Sequence, residues 1–382
     1  MRPAIASGSL FPILSPAPVG IARLAAEAEP ADEGHMVEFR AMEVRSILNR
    51  TVSKRRLSMA YGINPYRGCE FGCKYCYARY THEFLLPGPV AEETGGTLAG
   101  EGDAKAHGPE PRPASGPELR AARGPELFER LIYLKKNAAW LLEQELRKVD
   151  PAEEIAIGTA TDPYQPIERR ARVTRSLLEV FSRRSGYRLG IVTKSQMVLR
   201  DLDLLREIAR KNTLVVHLTI TTADPVLARK LEPRAPRPDL RFGAVRQLRR
   251  AGISTGVLCS PLLPGITDSE GAISDVARRA AEAKASFFAA EPLFLKPCSR
   301  PTYLSFVREH FPSLQAEYAT RFATADFAAR PYREEMAALV SKVCRRYGLS
   351  QRSTDALLTR DAGRGKPARG VPNGLAQAAL FA

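Results

Sequence analysis

The strongest constraint on the fold is an alternation that runs through the middle of the chain. Short apolar, β-branched runs occur at 154–160, 187–194, 213–221, 253–261 and 286–294. Between them, residues 172–184, 198–210, 224–231, 239–250 and 268–284 carry apolar side chains at helical spacing. Upstream, 58–65 and 129–136 read as strands and 138–146 as a helix, and helices dominate from the last strand to about Tyr347. No hairpin signal separates these strands, so each must return through its helix. That connection builds a parallel sheet covered by helices. Repeated right-handed crossovers give an open or closed α/β barrel. No internal repeat of 20 to 50 residues is present.

Composition narrows the setting. The chain has 382 residues, and 44% hydrophobic content is enough for a buried core. No apolar run approaches the ~18 residues of a membrane span. The apolar stretch 4–14 reads as a loose tail, because only Arg2 precedes it and two prolines lie near its end. Six cysteines are too few for a disulfide scaffold and fit a reducing, cytoplasmic setting.

The net charge is +15. Residues 1–34 carry −2, residues 87–126 carry −3 and residues 351–382 carry +3, which leaves +17 on 35–86 and 127–350. The excess therefore belongs to the folding part. It reads either as arginine-rich helix faces or as a groove for a polyanion, with nucleic acid as the partner. Fifteen of the 39 residues from Pro87 to Pro125 are Gly or Pro, which marks a flexible insertion. The expected organisation is a mostly flexible tail (1–42), a barrel domain (43–330) interrupted at 87–126, a C-terminal helix (331–350) and a disordered tail (351–382).

Three of the six cysteines, Cys69, Cys73 and Cys76, fall within eight residues as C-x3-C-x2-C. Gly68 and Gly72 allow the tight positive-φ turns that bring three thiolates together. Thiolates select soft metals and iron–sulfur clusters. A structural zinc site needs four ligands, and His82 is the local candidate for the fourth. A four-iron cluster on three cysteines instead leaves one iron open to something else.

The motif, with Tyr75 just before its third cysteine, resembles the signature of the radical S-adenosylmethionine (SAM) superfamily. Residues 158–168 (GTATDPYQPIE), 192–195 (VTKS), 218–221 (LTIT) and 261–268 (PLLPGITD) look like the spore photoproduct lyase-like branch. The resemblance spans roughly 43–86 and 127–330. It implies a partial (β/α)6-type TIM barrel with a helical C-terminal extension. It also implies a 4Fe-4S cluster on Cys69, Cys73 and Cys76, with SAM chelating the open iron. Reductive cleavage would then give a 5′-deoxyadenosyl radical that abstracts hydrogen from an unidentified substrate. An external one-electron donor of the flavodoxin or ferredoxin type is implied as well.

By the same resemblance, Thr161 and Thr219 contact SAM, Lys194 pairs with its carboxylate, and Tyr75 lies beside its adenine. Asp162, which ends a strand with Thr161, is counted with these cofactor-binding residues if it faces the barrel mouth, the alternative being a helix cap. Pro261 to Gly265 shapes the adenosine pocket. One departure matters. The lyase's hydrogen-donating cysteine falls on Thr159, whose O–H bond is too strong for that role. Cys259, Cys298 and Cys344 all read first as buried small apolar groups, and Cys259, which follows a strand, is a candidate donor only if it faces the pocket. His217 reads as a core histidine. The insertion 87–126 is either a lid or an inert excursion. The competing function is a zinc-stabilised basic nucleic-acid-binding protein without catalysis.

Overall fold

The computed structural model describes residues 20–27, 29–34, 37–50, 59–83 and 126–351. The insertion 87–126, apart from Glu126, and the tail beyond Gln351 lie outside the described residues. Strands are numbered along the chain: β1 (Glu29–Gly34), β2 (Val37–Met42), β3 (Leu48–Arg50), β4 (Met59–Ile63), β5 (Tyr66–Arg67), β6 (Leu131–Lys135), β7 (Glu154–Ile157), β8 (Arg188–Thr193), β9 (Thr213–Thr219), β10 (Ser254–Leu258) and β11 (Phe288–Ala289). The main sheet has the order β11-β10-β9-β8-β7-β4-β3. Its strands from β4 to β11 are all parallel, and only β3 runs against its neighbour. These six parallel strands are the expected partial barrel.

Burial explains the composition of these strands. In β7 all four residues are buried, and in β9 six of seven are. Strands covered on both faces need continuous Val, Ile and Leu rather than alternation. The covering helices bury one stripe each. Helix Val173–Ser182 turns Leu177, Leu178, Val180 and Phe181 inward. Helix starts are marked locally: Asp224 accepts a bond from the Val226 amide with Pro225 in the first position, and Ser269 accepts from Ala272.

Three boundaries differ from expectation. Residues 37–42, placed in a flexible tail, form β2 and pair in parallel with β6. The run 129–136 therefore belongs to a second sheet, β1-β2-β6-β5, and not to the barrel. The run 286–294 yields only the two-residue β11; from Glu291 the chain leaves the ladder and lines a cavity instead. The C-terminal segment is helical as expected, with helices Arg300–His310, Gln315–Arg321 and Arg330–Arg346. Among the described residues, no helix is long and apolar enough to cross a membrane.

Candidate active site

One cavity, about 1220 Å3 when counted to its open mouth, lies at the C-terminal ends of the parallel strands. Its wall includes Cys69, Cys73 and Cys76, Gly158 to Asp162 after β7, Lys194 after β8, Thr219 at the end of β9, and Ser260 and Pro261 after β10. Backbone direction reverses at these strand ends, so polar side chains from distant segments meet there.

The cysteine loop is held by the rest of the protein. The Cys69 amide donates to the Phe128 carbonyl (2.9 Å), and the Lys74 amide to Leu231 (2.9 Å). Gln165 accepts from the Glu70 amide (2.9 Å), Ser299 donates to the Cys76 carbonyl (2.6 Å), and Arg79 donates to the Cys73 carbonyl (3.1 Å). Gly68 and Gly72 have φ of 86° and 62°, as the spacing predicts. A β-carbon on Gly68 would overlap the Leu131 and Phe128 carbonyls, and one on Gly72 would push the ends of the Glu129 and Arg234 side chains aside.

The donor set suits an iron–sulfur cluster. Burial pushes all three thiols up, Cys73 to about 12 even though Lys194 opposes the shift. Such thiols become thiolates only when a metal centre supplies the compensating charge. Among the described residues, no three His, Cys, Asp or Glu side chains close on a single ion. Three soft thiols share one cavity wall, a donor set that suits an iron–sulfur cluster. His82, the expected fourth zinc ligand, is not brought to them. Its Nε2 bonds the Leu131 carbonyl (2.8 Å) and its ring packs edge-on against Phe128 (centroids 5.4 Å apart).

That burial has a pH consequence. Burial is the main cause that pushes the His82 imidazole down to about 4, from an ordinary value of 6.5. Between these values the unfolded chain takes up a proton that the folded chain refuses. Stability therefore falls as pH drops through this window, by roughly 3 kcal/mol. Chemical denaturation of wild type and His82→Gln between pH 7 and pH 4 checks this. The variant should lose that share of the slope, and identical slopes would remove His82 as its source.

The other expected site residues fall on the cavity wall in different roles. Lys194 carries its ammonium 5.6 Å from the centre of the Tyr75 ring. Burial opposes its charge, but Cys73 and Glu232 outweigh that and raise it above the ordinary lysine value. Thr219 is buried with its carbonyl held by Arg241 (3.0 Å). Thr161 donates its hydroxyl to the Gly68 carbonyl (2.5 Å) and accepts from Gln165 (3.1 Å), tying β7 to the cysteine loop. Asp162 accepts from the Thr193 hydroxyl (2.7 Å) and from the Tyr164 and Lys194 amides (2.9 and 2.7 Å), so its carboxylate fixes the neighbouring strand end. Thr159, at the position expected for a cysteine donor, lines the cavity.

Cys259 does not reach the cavity. The wall there is Leu258, Ser260 and Pro261, while the Cys259 thiol lies in the core and contacts the Thr221 carbonyl at 3.7 Å. Alternation along the strand sends it to the opposite face from its neighbours. Its candidacy as hydrogen donor is corrected on that ground. Cys344 is buried, as expected, while Cys298 is only half-buried, behind the cysteine loop against the Tyr77 carbonyl. His217 is buried against Phe287, as expected.

Sequence reading missed a buried network under the loop. Tyr75 donates its hydroxyl to Glu232 and contacts the Thr221 hydroxyl (2.9 Å). Glu232 is paired with Arg241 at 2.5 Å, both side chains 1% exposed. The only available signal was an acid and arginines among prolines in 231–241, which is indistinguishable from a solvated turn.

A profile of the radical SAM superfamily matches residues 63–276, more than half of the chain. The chain belongs to the radical SAM superfamily. This radical SAM protein is 27% identical to the uncharacterized protein Rv2578c of Mycobacterium tuberculosis over 315 residues, 82% of each chain. It is also 27% identical to the uncharacterized protein MJ0683 of Methanocaldococcus jannaschii, over 56% of this chain and 65% of that one. Among solved structures it resembles a Cys-to-Ser mutant of spore photoproduct lyase, with a TM-score of 0.54 and 16% identity over 81% of this chain and 79% of that one. A related lyase mutant, with AdoMet and a dinucleoside spore photoproduct bound, gives a TM-score of 0.52 at 15% identity, again over 81% and 79%. The shared fold is that of the lyase. The radical SAM family implies a 4Fe-4S cluster and SAM as cofactors, and the chain is a radical SAM enzyme whose substrate is unidentified.

Proposed function

We propose that Cys69, Cys73 and Cys76 hold a 4Fe-4S cluster and that the adjoining cavity binds SAM. The observation that carries this reading is one wall shared by three thiols and the Lys194 ammonium. When bound, these cofactors supply one-electron reductive cleavage of SAM to methionine and a 5′-deoxyadenosyl radical that abstracts hydrogen from the substrate. The protein's own residues position and shield. Lys194 offers a half-buried positive charge for the SAM carboxylate. Tyr75, immobilised by Glu232 and Thr221, offers a fixed aromatic face for the adenine. Thr219 presents a hydroxyl at the end of β9. Thr161 and Asp162 act one step away, by locking the cysteine loop and the β8 end in register. Phe71, Tyr77, Phe128 and Pro261 make the walls apolar and keep water from a reactive centre.

An external flavodoxin- or ferredoxin-type donor would supply the electron in a cytoplasmic setting. The +17 on 35–86 and 127–350 supports a polyanionic substrate such as nucleic acid. Anaerobic reconstitution with iron and sulfide, followed by SAM and a reductant, tests the reading. 5′-Deoxyadenosine is the expected product, and zinc retained without iron would overturn it.

Lys194 has its own test. In Lys194→Met the reconstituted protein should keep its iron but bind SAM about tenfold or more weakly, from the loss of one charge-assisted contact. Equilibrium binding measures this. Unchanged affinity would confine Lys194 to the cavity wall.

A further inference from the structure

The radical SAM profile ends at residue 276, yet the cavity is completed by residues that come after it. Glu291, Pro292, Phe294, Phe327 and Arg333 line the same space as the three thiols. They arise from the chain leaving β11, from the loop that holds Phe327 and from the helix Arg330–Arg346 that follows it. The family-matched region thus contributes the thiols, Lys194 and Thr219, and the segment beyond it closes the cavity. A substrate entering beside SAM must touch that closing segment.

The segment is built firmly. Phe294 and Phe327 form an antiparallel bridge, supported by the Leu295 amide bonding the Asp326 carbonyl (2.8 Å) and by the Arg300–Asp326 ion pair (2.9 Å). Their rings stack with centroids 4.4 Å apart. A cation stands on either side of this stack. The Arg333 guanidinium lies 5.9 Å from the Phe327 ring, and the Lys296 ammonium lies 5.7 Å from Phe294 and 4.1 Å from Tyr80. Among the described residues neither cation has a carboxylate partner, and the buried Nε of Arg333 makes no hydrogen bond. A half-buried guanidinium left without an anion on a cavity wall is costly unless something else supplies one.

We propose that Arg333, on the Phe294–Phe327 stack with Lys296 beyond it, anchors the substrate by a phosphate of a nucleotide unit. This rests on the radical SAM reading of the same cavity and deepens it by naming the substrate class. A guanidinium donates two parallel bonds to a phosphate, and the stacked rings beneath it hold it in place on the cavity wall. Two cations flanking the rings suit a strand that carries one phosphate per nucleotide, and the +17 on 35–86 and 127–350 favours a polyanion over an isolated carboxylate. Glu291 lines the cavity from another element, so an anionic substrate meets one attractive and one repulsive contact and is oriented by them.

The test is anisotropy of a fluorescein-labelled short single-stranded DNA on the reconstituted full-length protein at low salt. Wild type should bind, with an affinity that falls steeply as salt rises. Arg333→Gln should weaken binding at least about tenfold, and Phe327→Leu should weaken it as well. Arg333→Lys should recover part of the loss. Arg250→Gln removes an exposed charge at the far end of the strands and should change affinity less than about twofold. Iron content should stay at the wild-type level in Arg333→Gln, which separates lost DNA binding from a lost metal centre. Absence of DNA binding by wild type, equal loss in Arg250→Gln, or equally good competition by an acidic peptide would each overturn the assignment. The radical SAM reading is judged separately, by 5′-deoxyadenosine.

Discussion

Cys73→Ala will abolish iron retention and with it 5′-deoxyadenosine formation. A cluster on three cysteines has no spare ligand, so the reconstituted content should fall from about four iron per chain to background. The fold should survive. Cys73 is small, and its loop is held by backbone bonds to Arg79, Leu231 and Phe128 that do not involve the thiol. Losing one buried sulfur costs on the order of 1 kcal/mol. Iron analysis beside circular dichroism separates loss of the centre from unfolding. Cys259→Ala and Cys344→Ala are the controls, because their thiols lie in the core away from the cavity. Full iron content in Cys73→Ala would mean that the three thiols do not act as one site.

Glu232→Gln will be the most destabilising single change in the site. It leaves the Arg241 guanidinium buried without its carboxylate, and breaking such a pair costs about 3–5 kcal/mol. At this chain length that lowers the thermal midpoint by roughly 4–8 °C. The effect reaches the site because the same carboxylate accepts from Tyr75 and Thr221. SAM affinity should fall even where the protein remains folded. Removing both charges, as Glu232→Gln with Arg241→Met, should recover much of the stability but not the SAM affinity. The sign of the pH effect follows from the pair. Burial raises the Glu232 carboxyl, but Arg241 and Lys194 outweigh it and hold it below the ordinary 4.5. Its contribution is therefore fully present above that value and is lost as pH falls through the lowered one. Urea titration measures the stability. A loss under about 1 kcal/mol would place the Tyr75 anchor elsewhere.

The barrel strands were legible because burial on both faces writes continuous apolar runs into the chain, and the helices because one buried stripe writes a helical period. The second sheet was not. Its β2–β6 pairing joins residues about 90 apart, and the alternation in 37–42 (VEFRAM) is too short to mark a strand without that partner. The shortness of β11 was hidden for the opposite reason. Residues 286–294 stay apolar because they first pair in the sheet and then line a cavity, and apolar character does not tell these apart.

For the site, the chain alone marked the thiol loop: three cysteines at C-x3-C-x2-C spacing with two glycines are a local pattern, and local patterns survive in one dimension. Lys194 and Thr219 were named only through the family resemblance, and the structure puts both on the cavity wall at the ends of parallel strands. Only the tertiary structure decided which way side chains face. It turned the Cys259 thiol and His82 away from the thiol loop, buried Glu232 and Arg241 beneath Tyr75, and brought Phe327 and Arg333 across to close the cavity. Burial and partnership are properties of contacts between distant segments, and a carboxylate at a solvated turn and one sealed under a tyrosine are spelled alike.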